Sequence, residues 1–380
     1  MKQLPFLLCL YVLHVSAQED SALLARLTRM PLHYVTPKTG TPPRIDGRLD
    51  DAAWQSAPWT DYFTDIEGDI RPVPRYHTRV KMLWDDQYLY VGAELEEPQV
   101  WGTVAHHDEV VFHDNDFEVF VNPDNNAKHY FEIEINALAT IFDLFLPESY
   151  RNGGGALIPW DARGLKKAVR IDGTLNHPGD TDRGWTVELA IPIADISMNN
   201  NPETPVPGSL WRINFSRVEW DTKVADGRYT KETDPSTGRP LPEHNWVWSP
   251  QGVIDMHLPE RWGYLLFAGA GTGAAAGAGT QAPAQAGTQA GAGNDTFALP
   301  FAEHMKNALW SVFYQEQLYR RAHGQYTDFP GMPKQFLLEG RSVTLTVEAT
   351  ANIFFLTLVC PETKESWNID RKGNIERGRL

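Results

Sequence analysis

Between residues 43 and 268 the apolar positions recur at every second residue in short runs, and almost nowhere at the three-to-four spacing of a helix. In residues 130–136, Phe131, Ile133 and Ile135 share one side while Glu132, Glu134 and Asn136 share the other. That is the period of an extended strand with two unlike faces. Similar runs occupy residues 79–84, 88–95, 117–122, 141–145, 168–171, 185–191, 210–218 and 264–267. Asp85-Asp86-Gln87 between the first two reads as a hairpin turn. About nine short strands with long polar connections predict a mainly β module, an antiparallel β-sandwich of immunoglobulin or jelly-roll type.

The pattern changes past residue 268. Residues 269–293 contain only Gly, Ala, Thr, Gln and Pro. Such a stretch buries too little apolar surface to offset its ordering entropy, so it reads as a flexible linker. Residues 301–322 then place Met305, Leu309, Val312, Phe313 and Tyr319 at helical spacing, with Gly324 as the stop. Strand-like runs follow at residues 343–348, 353–359 and 366–369. Residues 294–380 are therefore expected to form a small α+β domain, one helix on a short sheet.

At the other end, Lys2 precedes an apolar run over residues 4–15 and the small-residue exit Val15-Ser16-Ala17. The run is about 12 residues, too short to span a bilayer, and residues 1–17 read as a signal peptide. The product is expected outside the cytoplasm, secreted or periplasmic, with residues 18–268 forming the sandwich. No later run approaches the about 18 apolar residues of a membrane span.

Composition sharpens this picture in three ways. Only Cys360 remains once residues 1–17 are removed, which excludes an internal disulfide and a cysteine metal site. The formal net charge is −15, and residues 294–380 balance ten acids with ten bases, so the acidity belongs to the sandwich. An acidic module repels nucleic acid and anionic membranes and favours neutral ligands or divalent cations. Eleven of the 13 tryptophans lie between Trp54 and Trp262. Rigid, half-polar rings in such number suit stacking on flat, hydroxylated ligands as well as a sandwich core.

A series of motifs runs through the module in order. Ile45-Asp46-Gly47-Arg48-Leu49-Asp50-Asp51 with Trp54 opens it, followed by Leu83-Trp84-Asp85-Asp86 and Phe117-Glu118-Val119-Phe120. Glu134-Ile135-Asn136-Ala137, Gly184-Trp185-Thr186-Val187-Glu188 and Asn214-Phe215-Ser216-Arg217-Val218 come next. Trp246-Val247-Trp248-Ser249-Pro250 and Pro259-Glu260-Arg261-Trp262-Gly263-Tyr264 close it. On these residues the stretch from about residue 43 to 268 resembles the family 9 carbohydrate-binding modules.

The resemblance implies a poly- or oligosaccharide ligand in support of carbohydrate catabolism, as in modules attached to xylan-degrading enzymes. It implies a sugar-binding acid at Glu118 and polar partners at Glu134, Asn136 and Ser216, with Arg217 beside them. Strand carboxylates and amides suit adjacent sugar hydroxyls, which they bond in pairs. The family's aromatic clamp falls at Phe112 and Met256, and Trp160 or Trp248 could supply a flat wall that Met256 lacks. Some family members hold structural calcium, for which Asp46, Asp50 and Asp51 offer hard oxygens. Asp turn chemistry explains those three equally well.

Other readings stay open. Glu118, Glu134 and Glu188 could be solvated residues of an exposed face, and Arg217 an ion-pair partner of Glu219. A glycoside hydrolase would need two carboxylates about 5–10 Å apart, and Glu118 and Glu134 on neighbouring strands are its candidates. A haem-binding redox module would draw on Met256 and on His106 or His107. The C-terminal domain resembles the globular part of type IV pilin-like proteins over residues 314–326, where a Gln- and Tyr-containing helix ends in His323-Gly324-Gln325-Tyr326. It lacks the apolar helix by which such proteins assemble, so a packing or adhesion domain is the expectation, with a protein partner left open.

Overall fold

The computed structural model describes residues 18–198, 204–270 and 298–379. The expected signal peptide, and all but the first two residues of the expected linker, lie outside them. The chain divides into two compact units.

The larger unit is a sandwich of two sheets. The strands are β1 (His33–Thr36), β2 (Thr64–Asp65), β3 (Thr78–Trp84), β4 (Tyr88–Glu96), β5 (Asp116–Asn122), β6 (Tyr130–Asn136) and β7 (Ile141–Leu146). They continue as β8 (Lys166–Asp172), β9 (Gly184–Pro192), β10 (Leu210–Glu219), β11 (Thr222–Ala225), β12 (Arg228–Lys231), β13 (His244–Val247) and β14 (Gly263–Phe267). One sheet has the order β3-β4-β9-β8. The other runs β1-β14-β10-β5-β6-β7, with β13 and β2 continuing it beside the far half of β10. Pairing is antiparallel except between β1 and β14. The strands β11 and β12 make a separate hairpin.

Alternation explains the packing. Val119 and Val121 of β5, Ile133 and Ile135 of β6 and Ile213 and Phe215 of β10 point between the sheets, where they meet Val80, Met82, Val91, Val187 and Leu189. The predicted turn holds: Asp85 Oδ1 accepts the N–H groups of Gln87 and Tyr88, and Oδ2 accepts the Tyr90 hydroxyl. Glu188, which the sequence allowed to be solvated, is buried. It accepts hydrogen bonds from Trp54 Nε1 and from the N–H groups of Asp46 and Gly47, so it anchors the opening motif. Asp51 accepts the Arg44 N–H and Asp46 the Arg48 N–H, the turn bonding the sequence also allowed.

The second unit joins the helix Phe301–His323 to a five-stranded antiparallel sheet. Its strands are β15 (Gln335–Leu338), β16 (Arg341–Ala349), β17 (Phe354–Cys360), β18 (Glu365–Asp370) and β19 (Ile375–Arg377). Met305, Leu309 and Phe313 of the helix are buried, as are Leu356, Leu358 and Cys360 of β17. Gly324 ends the helix in the left-handed conformation that glycine adopts without a Cβ clash. Residues 18–30, expected with the sandwich, group with this unit. They include a helix over residues 18–27 in which Leu27 is buried and Asp20 pairs with Arg321. Among the described residues no helix is long and apolar enough to cross a membrane.

Candidate functional site

The outer face of the β10-β5-β6-β7 sheet carries the chemistry, because the residues between the core positions point there. Strand register arranges them in rows. Ser216, Glu118, Glu134 and Phe142 form one row, and Asn214, Phe120, Glu132 and Leu144 the next. Asp116 precedes Glu118 on the same face, opposite Asn136. Above these rows lies a groove of about 630 Å³, within the about 300–1,000 Å³ usual for small-molecule sites. Phe120, Phe142, Leu144 and Met256 form its apolar part, and Glu118, Glu132 and Glu134 its acidic part. Phe112, Tyr150, Ile158 and Ile254 stand exposed at its rim.

Phe112 is held in place from two directions. Its backbone N–H donates to Glu134 Oε2 at 3.1 Å, and its carbonyl accepts Trp220 Nε1–H at 2.9 Å. Tyr150 packs edge-on against His257, with ring centroids 4.3 Å apart. His257 in turn meets the Tyr130 hydroxyl at Nδ1, 3.0 Å away. Burial pushes the His257 pKa down to about 4, so this ring is neutral at physiological pH. The Phe112 backbone and the Tyr150 ring thus have partners within the protein itself.

The acids are buried among one another. Burial pushes Glu118 up to about 7, with the Ser216 hydroxyl opposing the shift and Glu243 adding to it. Burial and then repulsion from Glu118 hold Glu132 and Glu134 well above the carboxylate range; burial and Glu118 do the same to Asp116. The Ser216 hydroxyl is near enough to act on Glu118, yet it has no hydrogen bond of ordinary geometry.

Of the residues the sequence singled out, the structure brings Phe112, Glu118, Glu134 and Met256 to one groove, with Ser216 beneath Glu118. Four others are elsewhere. Asn136 is buried under the loop before β5, donating to Val104 O and Asp114 Oδ2 while its own oxygen accepts from Leu138 and Thr140. It positions the Phe112 loop and does not face the groove. Arg217 follows Ser216 and so points to the opposite face, where it bonds Glu97, Glu219, Thr78 and the Glu96 carbonyl. The ion-pair alternative is therefore the observed one. Trp248 is core: its ring lies so close over Gly263 that a Cβ there would sit 2.3 Å from it. Trp160 packs on Phe131 at the inter-sheet core. Tyr150 and Glu132 were missed; Tyr150 opens a three-residue 3-10 helix, too short to show a period, whereas Glu132 shares the alternation of Glu134.

The haem candidates are not brought together. His107 bonds the Ile141 carbonyl and Asp161 and lies 3.8 Å from Asp143, on the core side of β7, whereas Met256 faces the groove. A second concavity, about 500 Å³ over the other sheet, is lined by Arg79–Glu94 and Arg183–Asp172 pairs that satisfy each other.

Fold and groove define a β-sandwich binding module with an acidic, ring-walled site on one sheet face. Residues 45–238, just over half of the chain, match the model described as carbohydrate family 9 binding domain-like, and the chain belongs to that family. It is a carbohydrate-binding protein. The chain is 26% identical over 170 residues to exoglucanase XynX of Acetivibrio thermocellus, covering 45% of this chain and 13% of that protein. It is 27% identical over 158 residues to endo-1,4-beta-xylanase A of Thermoanaerobacterium saccharolyticum, covering 42% and 11%. The chain thus spans about an eighth of the length of these curated relatives. Among solved structures it resembles a family 9 module from Caldicellulosiruptor kristjanssonii in complex with cellotriose, with TM-score 0.41 and 15% identity over 65% of this chain and 100% of that one. A putative carbohydrate-binding protein from Bacteroides uniformis gives TM-score 0.46 and 15% identity over 62% and 99%.

Proposed function

We propose that this chain is an exported, non-catalytic binder that holds a neutral β-linked glucan or xylan during polysaccharide breakdown, with one pyranose seated in the groove over β5 and β6. Phe112 and Tyr150 flank the ring, Met256 and Phe142 support its apolar side, and Glu118 and Glu134 bond adjacent hydroxyls. The observation that carries this reading is the Glu118–Glu134 cross-strand pair beneath two rim rings. Aromatic stacking with hydrogen bonds to fixed carboxyl groups is the chemistry that sugars need. The names of the relatives, an exoglucanase and a xylanase, fit a role beside such enzymes.

A binder suits these acids better than a hydrolase does. Hydrolysis pairs a protonated acid with an ionised partner, whereas here burial raises all of the clustered acids in the same direction. Calorimetric titration with cello- and xylo-oligosaccharides tests the reading. Tyr150→Ala and Phe112→Ala are each expected to weaken binding about tenfold, the loss of about 1–1.5 kcal/mol of stacking. A protein silent across both oligosaccharide series, or variants that bind unchanged, would defeat it.

A further inference from the structure

We propose that the foot of the groove is a binding site for a hard divalent cation, calcium by its donor chemistry, held by Asp116, Glu118 and Glu134 with the Ser216 hydroxyl. The cation presents its open positions to two neighbouring hydroxyls of the sugar; this second half rests on the reading of the groove as a sugar site.

Geometry comes first. One carboxylate oxygen from each of the three acids lies within 4.8 Å of the others. Donors about 2.3–2.6 Å from a common calcium ion stand at most about twice that far apart, so the three fit one ion without moving. All three side chains are buried. Neither arginine nor lysine lines the groove; of its two histidines, His113 is exposed and His257 is engaged with Tyr130. Clustered buried carboxyls are costly to ionise without a cation partner, and sugar hydroxyls, being neutral, do not lower that cost. A divalent ion does.

A separate observation points to a ligand at the same place. The Ser216 hydroxyl is fully buried, stands directly opposite Glu118 in the β10–β5 register, and has no hydrogen bond of ordinary geometry. Asp116 Oδ2 is buried and unpartnered in the same way. Buried polar atoms in folded proteins are nearly always bonded, as the neighbouring Asn136 is at both ends of its amide. An ion among these oxygens satisfies them together. The donors are all oxygen, with no nitrogen or sulfur, which selects calcium or its hard relatives over zinc or copper. Three carboxylates and a hydroxyl leave several of calcium's six to eight positions free, room for a vicinal diol.

The test uses the full chain stripped with EDTA. Calorimetric titration with calcium chloride alone is expected to show one site that Asp116→Asn weakens at least 100-fold; Asp116 does not line the groove, so its loss removes a cation ligand and no sugar contact. Asp161→Asn, at the separate cluster of His107, Asp108, Asp143 and Asp161, is expected to leave that site unchanged. Oligosaccharide affinity is expected to fall at least tenfold both in EDTA and in Asp116→Asn. Absence of calcium binding by the unmodified chain overturns the site, whether or not the variant folds. Calcium binding that survives Asp116→Asn and disappears in Asp161→Asn overturns it equally. Sugar affinity indifferent to EDTA overturns the bridging role and leaves the sugar reading standing. Calcium binding without any sugar binding leaves the cation site standing and removes the sugar reading.

Discussion

Glu118 shows what a buried groove carboxyl costs its own fold. Its carboxyl is buried and raised to about 7, so at pH 8 the folded state holds an ionised group it disfavours. Below its ordinary pKa both folded and unfolded carboxyls are protonated, and the penalty disappears. Glu118→Gln should therefore stabilise the ligand-free protein at pH 8 by about 1–3 kcal/mol, with the gain shrinking towards pH 5, while sugar affinity falls at least tenfold. Denaturant unfolding at the two pH values, alongside glycan titration, checks both halves; an unchanged stability at pH 8 contradicts the burial argument. At this scale the strand residues were legible and the loop residues were not. Period-two alternation puts Glu118, Glu134 and Ser216 on one face, and the same rule places Arg217 on the other, where it is found. Trp160 and Trp248 could not be placed by period, since an aromatic side chain in a loop or at a strand end serves core or surface equally well.

Among the elements, long strands were readable and short ones were not. The runs that became β3 to β7, β9 and β10 each span six or more residues, enough to display alternation. The strands β1, β2, β11, β12 and β13 have two to four, too few for a period to register. In the C-terminal unit the edge strands β15 and β19 escaped for the same reason, while the helix Phe301–His323 matched its apolar spacing and its glycine stop. That helix also carries a pH-sensitive contact. Glu316 accepts the Thr327 N–H, and burial, with Asp328 adding and Lys334 opposing, pushes its carboxyl up to about 7. A raised carboxyl binds its proton more tightly folded than unfolded, so stability declines as pH climbs from about 4.5 to about 7, by no more than about 3 kcal/mol. Glu316→Gln should flatten that decline in the melting of the C-terminal unit; the same slope in both proteins would show that the carboxyl plays no part.

For the molecule as a whole, composition reads a change of module at residue 269 but could not assign residues 18–30. Their stripe of Leu23, Leu24 and Leu27 is a single short turn of apolar spacing, and only three-dimensional grouping ties it to the C-terminal unit. Deleting residues 18–30 should therefore lower the melting temperature of that unit and leave glycan affinity within twofold of the full chain. Calorimetric melting paired with glycan titration decides this; a large affinity loss would mean that the segment serves the groove.

The parallel pairing of β1 with β14 has a consequence for how such a module travels between proteins. His33 lies opposite Tyr264 and Thr36 opposite Phe267, so the chain enters and leaves the sandwich at one edge, about 10 Å apart at 3.3 Å per residue. A body whose doorways adjoin can be spliced into a host chain as a cassette, with no rerouting of the host on either side.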